Sequence, residues 1–501
     1  VDLDIAEGER VLLAGSSGAG KSTLLRALAG LLADDDGDAS GTVTVDGLPP
    51  HRVPGAVGLL TQDPAASTVA VSIGRDLAFG PENLGLPVDV VADRVRRATA
   101  AAAFPYAPSR AHGPGHGYGP DRRTAALSGG ERQRLALAGQ FALGPRLLLL
   151  DEPLAMLDPT AADAVHTAVL SAVADRRTAL VVVDHHLDRW WRSVDRLVVL
   201  GSGGVVLADG PPDQVLRTNR SVLAAAGLWL PGSGLPGSGL PGSGGPGSDS
   251  GPFRPAPSAT RMTRPLLRAD AVGVLAPDPL VRSTRAARGG DRTWAVRDAS
   301  TALHEGSVTA VTGPSGAGKS TLLTALAGLV TPAAGAVRAL ESLARGLPAI
   351  PHRWRSRELA ARISWTPQTP TDGFVASTVA AEVAATPTAV GRTLSTDAIA
   401  ALLDSVGLSA RASSDPRRLS GGEQRRLAVV AALAAKTPVL LLDEPTVGQD
   451  RVTWTAVVQL LRAAAASGVA IGIATHDAQL VDALADTVTT LAETMTTLSG
   501  R

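Results

Sequence analysis

The chain has 501 residues, 45% of them hydrophobic and 3% aromatic, with zero net formal charge. That length predicts two to four domains with cores of Leu, Val and Ala, and the charge balance argues against a nucleic-acid binder, which carries a basic excess. Cysteine is absent, which excludes disulfides and Cys-ligated zinc; no apolar run reaches 18 residues, so any membrane role is expected to run through a partner.

The chain starts at Val1 and runs almost at once into a strand. The expectation is that it begins inside a domain, with the first strand missing. RVLLAG reads as a buried strand and STLLRALAGL as a helix. Between them lies Gly15, Ser16, Ser17, Gly18, Ala19, Gly20, Lys21, Ser22, Thr23, which fits G-x-x-x-x-G-K-[ST]. The glycines let backbone N–H groups form an anion nest at a helix N-terminus. Lys21 is expected to reach the β/γ-phosphates of a nucleotide and Ser22 to ligate Mg²⁺. Lysine usage supports this, because the chain has only Lys21, Lys319 and Lys436 against 44 arginines. Two of the three fall in copies of this motif, where an ammonium is required.

Gln62 follows in TQDP, and LAFGPENLGLP (77–87) reads as a Gly- and Pro-containing loop. His112 and His116, in AHGPGHGYGP, read as flexible-loop residues rather than metal ligands. LSGGERQR brings Ser128, Gly129 and Gly130 to a helix N-terminus. A hydroxyl and two unhindered N–H groups there make a second anion site, usable by a phosphate presented from outside. LLLLDEP predicts a buried parallel strand ending in Asp151 and Glu152. After a phosphate loop, such an Asp holds the magnesium site and the Glu can act as general base. Asp158 follows in LDP. The strand before DHH delivers His185 and His186, and strand alignment with a second copy favours His185. Trp190 and Trp191 read as packing residues.

LPGSGLPGSGLPGSGGPGSDSGP (230–252) can bury no core and carries no regular period, so it reads as a flexible tether. The pattern then repeats. Residues 313–329 match 15–31 at 15 of 17 positions. The second copy supplies Gly313, Pro314, Ser315, Gly316, Ala317, Gly318, Lys319, Ser320 and Thr321, then Gln368, then Ser420, Gly421 and Gly422. Asp443, Glu444, Asp450 and His476 complete it. The expected domains are 1–228 and 266–501, joined by a linker over 229–265.

With LSGGE in place, both halves resemble the ATPase subunits of ABC transporters. The resemblance implies an α/β fold: two tandem P-loop NTPase domains, each with a RecA-like core and a helical subdomain carrying LSGG. It implies ATP and Mg²⁺ as ligands, with Ser22, Asp151, Gln62, Ser320, Asp443 and Gln368 around the metal. It makes Gln62 and Gln368 sensors of the metal and attacking water. Glu152 and Glu444 become the bases, and His185 and His476 the γ-phosphate switches. Ser128, Gly129, Gly130 and Ser420, Gly421, Gly422 would face the phosphate loop of a paired domain, within one chain or in a homodimer. An adenine-stacking aromatic is not evident, and Trp294 is only a weak candidate.

The stretch QDPAASTVAVSIGRDLAFGPENLGLP (62–87) is similar to importers of the energy-coupling factor type for vitamins or transition-metal ions. That resemblance implies a peripheral place on the cytoplasmic membrane face. It implies a transmembrane coupling protein and a substrate-binding membrane protein as partners, and no nucleic acid. At an offset of 306 the second copy reads VAATPTAVG, without the Phe-Gly-Pro-Glu-Asn face. Phe79, Gly80, Pro81, Glu82 and Asn83 are therefore expected to form a partner-docking surface. The alternatives are a soluble tandem ATPase acting on ribosomes or nucleic acid, and the tandem ATPase of a sugar importer.

Overall fold

The computed structural model describes residues 1–32, 40–62, 67–107, 118–127, 129–155, 157–231, 264–276 and 294–492. The chain divides into two compact units, Val1–Ser233 and Gly234–Arg501. Both are α/β, each with a largely or wholly parallel central sheet, in keeping with tandem P-loop ATPase domains.

In the first unit, β1 (Arg10–Gly15), β2 (Val57–Leu60), β3 (Leu147–Asp151), β4 (Ala179–Val183), β5 (Arg196–Leu200) and β6 (Val206–Gly210) form one sheet. Its order is β2-β3-β4-β1-β5-β6, parallel except for the final β5–β6 pair. The unbroken apolar runs follow from burial on both faces. Leu148, Leu150, Leu180 and Val182 enter one core, while Leu149, Val181 and Val183 enter the other. A period-2 strand with two buried faces has no position for a polar residue until its end. That end is where Asp151 stands.

The second unit contains β7 (Pro265–Leu275), β8 (Trp294–His304), β9 (Val308–Thr312), β10 (Ala334–Ala339), β11 (Ile363–Thr366), β12 (Val439–Asp443), β13 (Ala470–Ala474) and β14 (Thr487–Thr490). A parallel sheet runs β11-β12-β13-β9-β14, beside an antiparallel sheet β10-β7-β8. Among the described residues of the first unit no such antiparallel sheet is present. Trp294 opens β8, and its ring occupies the space that a Cβ on Gly273 would need, a packing role within that sheet.

Two sequence expectations are corrected. Residues 77–83 are not a loop but the end of the helix Ile73–Asn83, and Pro81 lies inside it. Ile73, Leu77 and Pro81, spaced by four, form one buried stripe. The twin helix Val379–Ala389 does the same with Val379, Val383 and Pro387. Pro81 is therefore core rather than surface, and Gly80 is half-buried, with a Cβ there meeting Leu143 at 3.2 Å. Phe79, Glu82 and Asn83 remain exposed, on neighbouring turns of one helix face. The tether also starts later than expected, because Trp229 and Leu230 are buried in the first unit.

Candidate functional site

Each unit gathers its polar residues at the carboxyl ends of parallel strands, the usual ligand edge of an open α/β sheet. Strand order explains the convergence. β4 lies between β1 and β3, so the phosphate loop, the Asp-Glu pair and the histidine all emerge side by side. Asp151 pairs in register with Val183, two residues before His185, and Asp443 pairs with Ala474, two before His476.

In the first unit the helix Lys21–Leu28 starts from Gly20 in a left-handed conformation at φ 91°. Buried Lys21 donates through Nζ to the carbonyls of Gly15 and Ser16, both at 2.9 Å. It thus bridges the loop that it closes. The Ser22 hydroxyl bonds to the Asp151 carboxylate, whose pKa is pushed up to about 6 by burial and then by the Glu152 charge. Glu152 is buried at φ 48°. Such a conformation is uncommon for a residue with a Cβ, and it aims the side chain back over the sheet edge. Gln62 donates through Nε2 to Glu152 Oε2 at 2.8 Å, and His185 Nε2 lies 3.1 Å from Oε1. Burial alone would raise the pKa of Glu152. His185, Lys21 and Gln62 outweigh it and hold the carboxylate below its ordinary value. His186, the alternative histidine, points elsewhere and stacks on Trp229 at 5.3 Å.

The second unit repeats the plan. Lys319 Nζ donates to the carbonyls of Gly313 at 2.8 Å and Pro314 at 3.1 Å. Gly318 caps the next helix at φ 89°, where a Cβ would come within 2.1 Å of the Ala295 carbonyl. Ser320 bonds to Asp443, again raised to about 6, by burial. Glu444 stands at φ 50°. His476 Nδ1 lies 2.8 Å from its Oε1, and Thr475 donates to Oε2 at 2.9 Å. Burial would lower the pKa of His476, but the Glu444 charge and hydrogen bond raise it. Gln368 is half-buried and has no hydrogen bond to Glu444 among the described residues.

Ser420 caps the helix Gly421–Ala434 in a reciprocal capping box with Glu423. It is exposed, Gly421 is half-buried and Gly422 is buried; Gly129 and Gly130 follow the same pattern at the start of Gly129–Leu143. Ser128, His112 and His116 lie outside the described residues. Asp158 and Asp450 cap the helices Pro159–Ala172 and Arg451–Ala466 by accepting the N–H of the third residue on. Trp190 is buried and donates to Asp184 at 2.9 Å, and Trp191 packs against the core.

Sequence reading missed three features. Asp76 Oδ1 accepts the N–H groups of Val69 and Ala70 at 2.8 and 2.9 Å, tying the segment after Gln62 to the next helix. Glu382 does this after Gln368, through Val375 at 2.9 Å and Ala376 at 2.7 Å. The shared offset of 306 was the available signal. Trp229, read as tether, donates its N–H to the His185 carbonyl and accepts from Leu187 N–H, both at 3.1 Å. It straps the histidine loop in place.

Hard oxygen donors from a hydroxyl and a buried carboxylate, beside a lysine-closed glycine loop, suit a magnesium-bound nucleotide. This fold and these sites define a tandem P-loop ATPase. The family described as "ABC transporter" matches residues 1–155 and 296–447. A provisionally named ABC transporter ATP-binding protein of Streptomyces coelicolor is 36% identical over 528 residues, covering 98% of this chain and 88% of the relative. The chain belongs to the ABC transporter ATP-binding family, with two ATP-binding ATPase segments in tandem. A provisionally named HMP/thiamine import ATP-binding protein of Bacillus subtilis is 29% identical over 498 residues, covering 98% and 86%. Among solved structures, RNase-L Inhibitor superposes with a TM-score of 0.54 at 19% identity, covering 97% of this chain and 84% of that one. An archaeal ribosome recycling factor gives 0.56, also at 19%, with the same coverage. At that identity the likeness is one of fold.

Proposed function

We propose that this protein powers an importer of the energy-coupling factor type, taking up a vitamin or transition-metal ion, through nucleotide-binding domains that close on ATP. The observation that carries the reading is the exposed face of Phe79, Glu82 and Asn83, whose Phe side chain is 49% accessible. Its twin in the second unit carries Ala385, Thr388 and Ala389 instead. A shape the fold needed would recur in both copies; a partner-specific surface need not. The similarity to a relative named for HMP/thiamine import supports the same reading. Among the described residues no helix is long and apolar enough to cross a membrane, so a transmembrane coupling protein and a substrate-binding membrane protein complete the assembly, with this chain on the cytoplasmic membrane face.

In this scheme the glycine loops and Lys21 or Lys319 hold the phosphates. Ser22 and Asp151, or Ser320 and Asp443, hold Mg²⁺, with Gln62 and Gln368 nearby. The metal, when bound, neutralises phosphate charge. Glu152 and Glu444 accept a proton from the attacking water, and their depressed pKa values keep them ionised and ready to accept it. His185 and His476 orient those carboxylates. Ser128, Gly129, Gly130 and Ser420, Gly421, Gly422 recognise the γ-phosphate presented by a paired domain, which stabilises only the closed state.

The test is Phe79→Ala. Assembly with the membrane partners is expected to weaken while ATP binding stays intact. Unchanged assembly removes the docking role. Co-sedimentation with ribosomes instead of membranes would replace this reading with that of a ribosome-directed tandem ATPase.

A further inference from the structure

The two sites share their lysines, Asp-Glu pairs and histidines, yet differ in the side chains around the Asp-Glu pair. Thr475 precedes the second histidine and donates to Glu444 Oε2 at 2.9 Å. The matching residue of the first unit is Asp184, also buried. Its carboxylate is held by the His186 N–H at 2.8 Å and the Trp190 indole at 2.9 Å. The other difference lies on the LSGG helices. Gln133 donates to the Pro153 carbonyl at 2.9 Å, whereas Arg425, at the same place in its motif, donates to the Glu444 carbonyl.

The first difference leaves the formal charge unchanged, because Asp477 follows His476 and takes the Trp454 indole at 3.0 Å as Asp184 takes that of Trp190; the second difference adds a cation to the second site. In the first unit Lys21 acts on the buried Asp151 and Glu152, and the matching position of the LSGG helix is the neutral Gln133. In the second, Lys319 acts on the buried Asp443 and Glu444, and the Arg425 guanidinium lies against the same pair. Around the Asp-Glu pair the first pocket is formally one charge more negative. Burial limits the solvent screening that would erase such a difference on the surface. One unit charge roughly 10 Å from another, at an effective dielectric of about 20, changes affinity on the order of tenfold.

We infer that the two halves accept different forms of the nucleotide: the first requires the metal–nucleotide complex, while the second also holds the metal-free, more anionic nucleotide. This rests on reading both loops as nucleotide sites. A divalent cation offsets the excess negative charge around Asp151; around Asp443, Arg425 already supplies part of that compensation.

The experiment uses the full chain with one site silenced. Lys319→Ala leaves the first site and Lys21→Ala leaves the second. Binding of a fluorescent ATP analogue is titrated in Mg²⁺ and again in EDTA. Chelation is expected to weaken the first site by roughly tenfold or more, and the second by under about threefold. Arg425→Gln in the Lys21→Ala protein is expected to raise its metal dependence, whereas Arg425→Lys, which keeps the charge, is expected to leave it under about threefold. Equal chelation factors in the two single-site proteins overturn the inference, as does a charge change without effect. A wild-type chain that binds no analogue in either condition overturns the nucleotide-site reading instead.

Discussion

Asp76 offers a sharp test of how the fold holds Gln62 near Glu152. Both loop N–H groups, of Val69 and Ala70, converge on the same carboxylate oxygen, Oδ1. Burial raises the pKa of Asp76, and the two backbone bonds only partly offset that rise. Asp76→Asn keeps an oxygen at the shared position and loses only charge assistance, about 1 kcal/mol. Asp76→Ala removes both bonds and leaves two part-buried donors unmatched, about 2–4 kcal/mol. The two variants should therefore differ by roughly 1–3 kcal/mol in the urea unfolding of the first unit, followed through the buried Trp190 and Trp229. ATP turnover should fall roughly tenfold in the alanine variant, because the loop that carries Gln62 is no longer fixed. Equal stability of the two variants, or wild-type turnover with alanine, would refute this reasoning.

Three other outcomes follow from the same geometry. Glu152→Gln and Glu444→Gln should each abolish turnover at their own site, by about 100-fold or more; single-turnover hydrolysis in chains with the other site silenced checks this, and wild-type activity of either variant removes that glutamate as base. Gly318→Ala should destabilise by more than about 2 kcal/mol, since it adds a carbonyl collision to a left-handed conformation; Gly20→Ala, with no atom within 4 Å of its Cβ position, should cost less in a thermal melt. The folded pKa of His476 lies above 6.5 because pairing with Glu444 outweighs burial. Its contribution to stability is therefore fully present below pH 6.5 and lost as pH rises through the raised folded pKa; His476→Gln should flatten that dependence in denaturation of the second unit across pH 6–9.

The cluster at the strand ends was legible because its parts are contiguous and chemically demanding. A glycine loop with a lysine, or a buried strand ending in two carboxylates, has few other uses, and strand alignment favoured His185, the histidine that lies 3.1 Å from Glu152. The partners of those groups were harder to see. Asp76 and Glu382 are single acids on half-exposed helices, where most carboxylates are merely solvated. Trp229 borders a low-complexity tether, whose composition masked a residue belonging to the fold. Residues 77–83 were misread because Gly and Pro outweighed a periodic signal that was present, Ile73, Leu77 and Pro81 at intervals of four. Packing of that stripe prevails over the helix penalty of Pro81, which falls near the helix end.

The scarcity of lysine has a practical consequence for optical measurement. Lys21 is buried and Lys319 is half-buried, and each ammonium is held by two carbonyls of its own loop. Lys436 is exposed, just beyond the helix Gly421–Ala434 and ahead of β12. Among the lysines, an amine-reactive dye at limiting concentration should therefore settle preferentially beside the helix that carries the second LSGG motif. With no native cysteine in the sequence, one introduced cysteine gives a unique thiol for a second dye, so the movements of one half can be followed by energy transfer with no native thiol to remove first.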